Sequence, residues 1–371
     1  MSTPTPGAPG PLRAGPLTAG SSAPPAEIYD VALLDLDGVV YVGPDAVPGV
    51  PDALSGARAA GMRLGFVTNN AARTPEEVAA HLTELGVPAA SDDVITSSQA
   101  AATVVADLLG PGANVLPVGG PGVAAALTAA GLTVVGSAEE EPAAVVQGYG
   151  REVGWAQLAE AVVAVRNGAR HVATNADATI PSPRGPLPGN GAMVGVVRGV
   201  TGRQPLITGK PDPAMHAECV RRTGARRPLV VGDRLDTDIE GARRAGADSL
   251  LVLTGVTDPG VLLAAGPQHR PDLLSQDAAG LLQAHPAVTT DGSQWSCGRW
   301  TARAGEGHDV LVLEAADGGD GDGLDGLRAL CVAHWSRHPD SAAPARILGV
   351  GAPAEEALAR WDLASASDRA A

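Results

Sequence analysis

Lysine is almost absent from this chain: of its 26 basic residues one alone is lysine, Lys210, in the stretch LITGKPDP. Arginine serves nearly everywhere a positive charge is needed, so Lys210 marks a position where arginine is a poor substitute. Basic charge as a whole is in deficit, at a formal net −15. That balance repels nucleic acid and anionic lipid and leaves a small molecule as the expected partner. Cysteine is sparse: Cys219, Cys297 and Cys331 are odd in number and far apart, with no CxxC pair and no cluster of histidines beside them. This argues against a disulfide framework or a zinc site and fits a reducing, cytoplasmic compartment. Long apolar runs are missing as well. None approaches the ~18 to 20 residues of a membrane span. The first 26 residues, dominated by Pro, Gly, Ser, Thr and Ala, lack the apolar core of a secretory signal and read as a disordered tail.

What is present is alternation. With 371 residues the chain has room for two or three domains and a sizeable core. The run IYDVALLDLD, residues 28–37, carries aliphatics on both faces, as a strand inside a parallel sheet does, and ends in acidic residues. RLGFVTNN (63–70) and RPLVVGDRLDTD (227–238) repeat the pattern: an apolar run, then small or polar side chains at its C-terminal end. Helical stretches follow, such as TPEEVAAHLTELG with Thr74 as N-cap, Pro75 at the first helical position and Gly86 as stop. The alternation predicts an α/β fold with a parallel sheet whose ligands bind beyond the carboxyl ends of the strands.

Between the second and third strand ends lies an insertion, residues 101–203, with α/β units of its own and too long for a loop. It reads as a cap domain on a core formed by residues 27–100 and 204–285. Four of the five tryptophans, Trp295, Trp300, Trp335 and Trp361, fall within residues 286–371. They predict a small C-terminal α+β domain with a separate core anchored by large side chains. In that domain DGGDGDG lacks the terminal Glu of a calcium-binding EF-hand loop. RILGVG (346–351) has an R-x-x-G-x-G spacing and reads as a strand-to-helix turn rather than a pyrophosphate cradle.

Four short motifs stand in order at strand ends: DLDGVV (35–40), TNN (68–70), GKP (209–211) and GDRLDTD (232–238). An acidic pair, a small hydroxyl with amide neighbours, one ammonium and a second acidic pair suit phosphoryl transfer. Asp35 can attack phosphorus to give an aspartyl-phosphate, which splits a difficult hydrolysis into two easier steps. Asp37 can protonate the leaving alkoxide and then deprotonate the attacking water. The Thr68 hydroxyl and the N–H groups of Asn69 and Asn70 can hold phosphoryl oxygens. Asp35 and Asp233, with a backbone carbonyl near Asp37, can supply oxygens to Mg²⁺, while Asp238 stands behind these ligands and orients a water.

As a set these residues resemble the haloacid dehalogenase superfamily of phosphohydrolases, and the large insertion between TNN and GKP resembles its class with a C2-type cap. The stretch ATNADATIPSPRGPLPGNGAMV (173–194) is similar to the p-nitrophenylphosphatase, phosphoglycolate phosphatase and NagD-like group. The resemblance spans about residues 28–285. It implies a Rossmann-like core, Asp35 as nucleophile, Asp37 as acid and base, Thr68 as phosphoryl ligand, Lys210 as stabilising cation and Asp233 as a Mg²⁺ ligand. It also implies a cap that mediates a homodimer. The C-terminal region is similar to the acetyltransferase-like domain that follows the core in actinobacterial glycerol-3-phosphate phosphatases. Specificity is expected in the cap, where Asn175, Asp177, Arg184 and Asn190 are polar side chains that either face a small phosphorylated metabolite or stabilise the local proline- and glycine-rich turns. Glycerol 3-phosphate ranks first, then 2-phosphoglycolate, then a nucleotide monophosphate. A phosphorylatable receiver domain is the competing class. Its phosphoacceptor would follow an interior strand of a single-domain module, whereas Asp35 follows the first core strand and a whole cap separates TNN from GKP.

Overall fold

A computed structural model describes residues 15–363 except 181, 183, 308 and 320. The chain forms two compact units, Met1–Leu64 with Arg226–Ala371, and Gly65–Ala225.

In the first unit the strands Val31–Leu34, Pro228–Gly232, Asp248–Val252 and Leu273–Ser275 run parallel, each paired with the next. Val31–Leu34 is buried at every position, which is why it carries aliphatics on both faces. Just past its end the backbone folds back: Gly38 N–H donates to Tyr41 O at 2.8 Å and Val40 N–H to Leu36 O at 2.9 Å. The turn leaves Asp35 half-buried and Asp37 exposed at the strand's carboxyl end.

The C-terminal segment of this unit is a sheet of Thr289–Thr290, Gln294–Cys297, Trp300–Ala304 and Val310–Ala315 in antiparallel succession. Arg346–Val350 then adds parallel to Val310–Ala315. Its core is not separate, contrary to the expectation from the tryptophans. Trp300, Trp335 and Trp361 share one buried cluster with Leu251, Leu262, Leu263 and Leu274 of the parallel-sheet region. The helix Asp325–Arg337 explains this, since it is buried nearly all round and packs on both its own sheet and the helix Pro259–Leu263. RILGVG is a strand that turns through Gly351 into the helix Ala352–Arg360, as expected.

The tail also differs from expectation. From residue 15 it is packed: Leu17 is buried, Leu17 N–H donates to Asp272 O, and Ser21 and His285 exchange hydrogen bonds. The apolar Leu17 within the turn is what composition alone concealed. Residues 1–14 of the expected tail lie outside the described residues.

The second unit has a fully parallel five-stranded sheet in the order Leu206–Ile207, Arg170–Ala173, Ala144–Gln147, Asn114–Val118, Thr133–Val134. Helices Trp155–Arg166 and Asn190–Thr201 pack together, and a core of Leu116, Val145, Ala161, Val165 and Val197 joins them to the sheet. Helices Ser97–Leu109 and Pro121–Ala129 bring Ala101, Val105, Val123 and Leu127 to a second core with Val115, Val146 and Val172. The cap's sheet thus takes its edge strand from residues 206–207, beyond the expected boundary at 203. Helix Ser97–Leu109 also packs against Pro213–Thr223.

Candidate active site

Two groups of polar residues collect at strand ends, one in each unit. In the first, carboxylate oxygens of Asp35, Asp233 and Asp238 lie within 4.8 Å of one another. The parallel register places them. Asp35 N–H donates to Val231 O at 2.9 Å, which sets it beside the end of Pro228–Gly232, and Asp233 follows that strand directly. Leu235–Ile239 is a π-helical turn; this wider turn, often found at functional sites, carries Asp238 back to Asp233, five residues earlier. Asp238 Oδ2 accepts from Arg234 N–H at 3.2 Å, and Asp233 Oδ2 accepts from Val256 N–H at 2.7 Å. Asp233 and Asp238 are both 1 % exposed.

Glycines make the room. A Cβ at Gly38, where φ is +86°, would stand 2.5 Å from Asp233 Oδ2, and one at Gly255 would stand 2.0 Å from the same oxygen. Three carboxylates drawn together at this spacing in a chain of charge −15 call for a hard divalent cation. The grouping brings in Asp238, which the sequence placed behind the metal ligands. It does not include the Asp37 side chain, whose backbone pairs with Tyr41. Sequence reasoning missed the loop Thr254–Val256, although LVLTG repeats the signal of an apolar run ending in small polar residues.

In the second unit Thr68 ends the strand Arg63–Thr68 and is buried, and its Oγ1 accepts from Asn70 N–H at 3.0 Å. That N–H, expected to bind a phosphoryl oxygen, is therefore engaged within the turn. Asn69 clasps the backbone of the lysine: its Oδ1 accepts from Lys210 N–H at 2.9 Å and its Nδ2 donates to Lys210 O at 3.2 Å. Lys210 Nζ donates to Val67 O at 3.5 Å, and the Lys210–Pro211 peptide is cis. The Lys210 charge also reaches Cys219, whose thiol burial pushes up to about 12. Asn175 and Asn190, expected to face substrate, are 3 % and 2 % exposed and donate to backbone carbonyls. Asp177 Oδ2 accepts from Asn69 Nδ2. Arg184 is exposed in the turn between Thr179–Ile180 and Leu187–Pro188. A cavity of about 440 Å³ in the same unit is lined by Tyr149, Arg151, Ile180, Asn190 and Met193 among others. Tyr149 and Arg151 were missed, although VVQGYGR is again an apolar run ending in polar residues.

A parallel sheet that delivers three carboxylates to one point, and a lysine loop clasped beside a Thr-Asn-Asn turn, define a phosphate-handling hydrolase. Residues 32–133 match the model of the haloacid dehalogenase-like hydrolases and residues 207–281 a second model of the same kind; residues 297–363 match a GCN5-related N-acetyltransferase like domain. The chain is 45% identical over 343 residues to D-glycerol 3-phosphate phosphatase of Mycobacterium tuberculosis, covering 91% of this chain and 95% of that one. Structures of glycerol phosphate phosphatase from the same organism, with calcium and with magnesium, are similar at TM-scores of 0.85 and 0.81 and identities of 42% and 43%. Each match covers 92% of this chain and 99% of that one. A 4-nitrophenylphosphatase from Thermotoga maritima is similar at a TM-score of 0.64 and 30% identity, over 70% of this chain and 98% of its own. The chain belongs to the haloacid dehalogenase-like hydrolase family. Within that family it is a phosphatase, a hydrolase of phosphoric monoesters.

Proposed function

We propose that the chain hydrolyses glycerol 3-phosphate to glycerol and phosphate through an aspartyl-phosphate on Asp35, with Mg²⁺ as cofactor. The observation that carries the proposal is the Asp35, Asp233 and Asp238 cluster, set in a chain that is similar to a glycerol phosphate phosphatase over nine-tenths of its length. What supports joining both polar groups in one reaction is the motif order and the family.

Asp35 attacks phosphorus as the bond to the glycerol oxygen breaks, and that oxygen takes a proton from Asp37. Water then attacks the phosphoryl group and gives a proton to Asp37, the bond to Asp35 breaks, and inorganic phosphate leaves. Thr68 Oγ1, the Asn69 N–H and the Lys210 ammonium hold the phosphoryl oxygens through both steps. Asp35, Asp233 and Asp238 would hold Mg²⁺, with the Asp37 carbonyl available as a further oxygen donor. When bound, the ion offsets repulsion between the carboxylate nucleophile and the anionic ester.

A cytoplasmic site of action accords with three buried free thiols, Cys219, Cys297 and Cys331. Among the described residues no helix is long and apolar enough to cross a membrane. A homodimer through the cap belongs to the same proposal; what supports it is Trp155, 84 % exposed, with Val196 and Val200 exposed on the neighbouring helix.

The test is phosphate release from glycerol 3-phosphate, 2-phosphoglycolate, a nucleotide monophosphate and p-nitrophenyl phosphate, with and without a chelator. Glycerol 3-phosphate should give the highest kcat/KM, chelation should stop turnover, and Asp35→Asn should lower kcat on the order of 10³-fold or more. Turnover surviving in Asp35→Asn would sink the mechanism, and preference for another ester would sink the substrate.

A further inference from the structure

Asn175 and Asn190 stand on the cap stretch where substrate contacts were expected, yet both are buried and their amide donors are already committed to backbone carbonyls. Asn175 Nδ2 donates to Asn69 O at 2.7 Å and its Oδ1 accepts from Asp177 N–H at 3.1 Å. Asn190 Nδ2 donates to Asn175 O at 2.9 Å and to Gln147 O at 3.2 Å. These bonds continue to the lysine, because Asn69 clasps Lys210 N–H and O with its own amide. The result is an unbroken line from the cap cavity, where Asn190 is part of the wall, through Asn175 and Asn69 to Lys210.

The backbone around Lys210 is fixed by the same strand. Leu206 and Ile207 pair with Val172 and Ala173, and Thr208 N–H and Oγ1 both donate to Ala173 O, at 3.1 and 3.3 Å. Gly209 is wedged between Thr174 and Asn69: a Cβ there would stand 2.2 Å from Thr174 O, 2.7 Å from Asn69 Oδ1 and 3.2 Å from Asn175 Cβ. The lysine is thus hung on the edge of the cap's own sheet, and Asn175 is the side chain that ties that edge to the Thr68–Asn70 turn.

We propose that Asn175 is a positioning residue for Lys210: its amide donor holds Asn69, and through Asn69 it holds the ammonium at the place where phosphoryl charge develops. The proposal rests on the phosphatase reading above. It assigns reading of the leaving group to other side chains, since Asn175 has neither an exposed surface nor an uncommitted polar end to offer a substrate. A residue acting this way affects kcat more than KM, because misplacing a charge by a fraction of an ångström lowers transition-state stabilisation while leaving ground-state binding nearly intact.

The experiment is a double-mutant cycle on p-nitrophenyl phosphate and glycerol 3-phosphate with the full chain. Asn175→Ala should lower kcat roughly 10- to 100-fold on both esters with KM within about threefold. In a Lys210→Ala background the same change should cost less than about twofold, because its route of action is already gone. Asn175→Asp keeps the size and the acceptor for Asp177 N–H but removes the donor to Asn69 O, so it should behave like Asn175→Ala. It stands in for the alanine variant if that fails to fold, as judged by its circular dichroism and unfolding midpoint. A rise in KM confined to glycerol 3-phosphate, or equal losses with and without Lys210, overturns the proposal. If wild type turns over no ester, the phosphatase reading itself has failed and this proposal falls with it; if wild type turns over and the cycle is additive, only this proposal falls.

Discussion

Lys210 is held at three points along its own residue: N–H and O by Asn69, and Nζ by Val67 O. Such a seat suits a compact ammonium on a flexible stem. A guanidinium is planar and wide, and its five donors need acceptors in a fixed fork, whereas a compact ammonium can turn its donors on one flexible stem, as Nζ does toward Val67 O. Lys210→Arg should therefore lower kcat by roughly 100-fold although charge is conserved, within about tenfold of Lys210→Ala; steady-state kinetics at saturating Mg²⁺ measure both. Equal activity of the arginine variant would mean that charge alone matters there. The lone lysine was legible in the sequence because a chain that uses arginine everywhere else makes the exception visible. The strand-end placement of Asp35, Thr68 and Asp233 was legible for a different reason, since each ends an apolar run and that signal is local. Asn175 was legible as a polar residue but not in its hydrogen bond to Asn69, which spans 106 residues of sequence. The approach of Asp238 to Asp233 was not legible, because it depends on a π-helical turn that residue types do not reveal.

At the level of elements, the strand Arg170–Ala173 does more than fill the cap's sheet. Its neighbour on one side is the lysine-bearing strand Leu206–Ile207 and on the other Ala144–Gln147. His171 on this strand is 5 % exposed, its Nε2 faces Gln147 Oε1 at 3.0 Å, and burial pushes its pKa down to about 4. A histidine held neutral in the fold but free to protonate near pH 6.5 when unfolded makes the unfolded state the better proton acceptor between those values. The stability this protects is complete above about pH 6.5 and is lost as pH falls toward 4. His216, His285 and His334 are depressed by burial as well and act in the same direction. The thermal midpoint should fall steadily from pH 7 to pH 5, and His171→Asn, which cannot titrate, should flatten part of that slope. An unchanged slope in the variant would remove His171 from the account. The boundary of this sheet was missed by the sequence reading because LITGK has only two paired residues, too short a strand for periodicity to register.

Across the whole chain the least legible feature was how the C-terminal segment is held. Tryptophans and a change in composition correctly marked a new region, but the partners of its buried arginine lie elsewhere in sequence. Arg328, 1 % exposed, donates to Asp322 and Asp325 beside it and to Leu274 O in the strand Leu273–Ser275 of the parallel sheet. Arg270 does the converse, reaching from the parallel-sheet region to His338 O, Pro339 O and Ser341 O, while Trp335 Nε1 donates to Leu263 O. Two buried guanidinium groups and one shared apolar cluster tie the segment to the strands that carry Asp35 and Asp233. Arg328→Met keeps the length of the side chain but strands two carboxylates and a carbonyl, and removing one partner of a buried ion pair costs roughly 3–5 kcal/mol. In urea, tryptophan fluorescence and phosphatase activity should then be lost in one coincident transition, shifted to lower denaturant by that amount. A segment that folds by itself would instead show a fluorescence transition at lower urea with activity persisting beyond it, and that outcome would separate the acetyltransferase-like region from the catalytic strands.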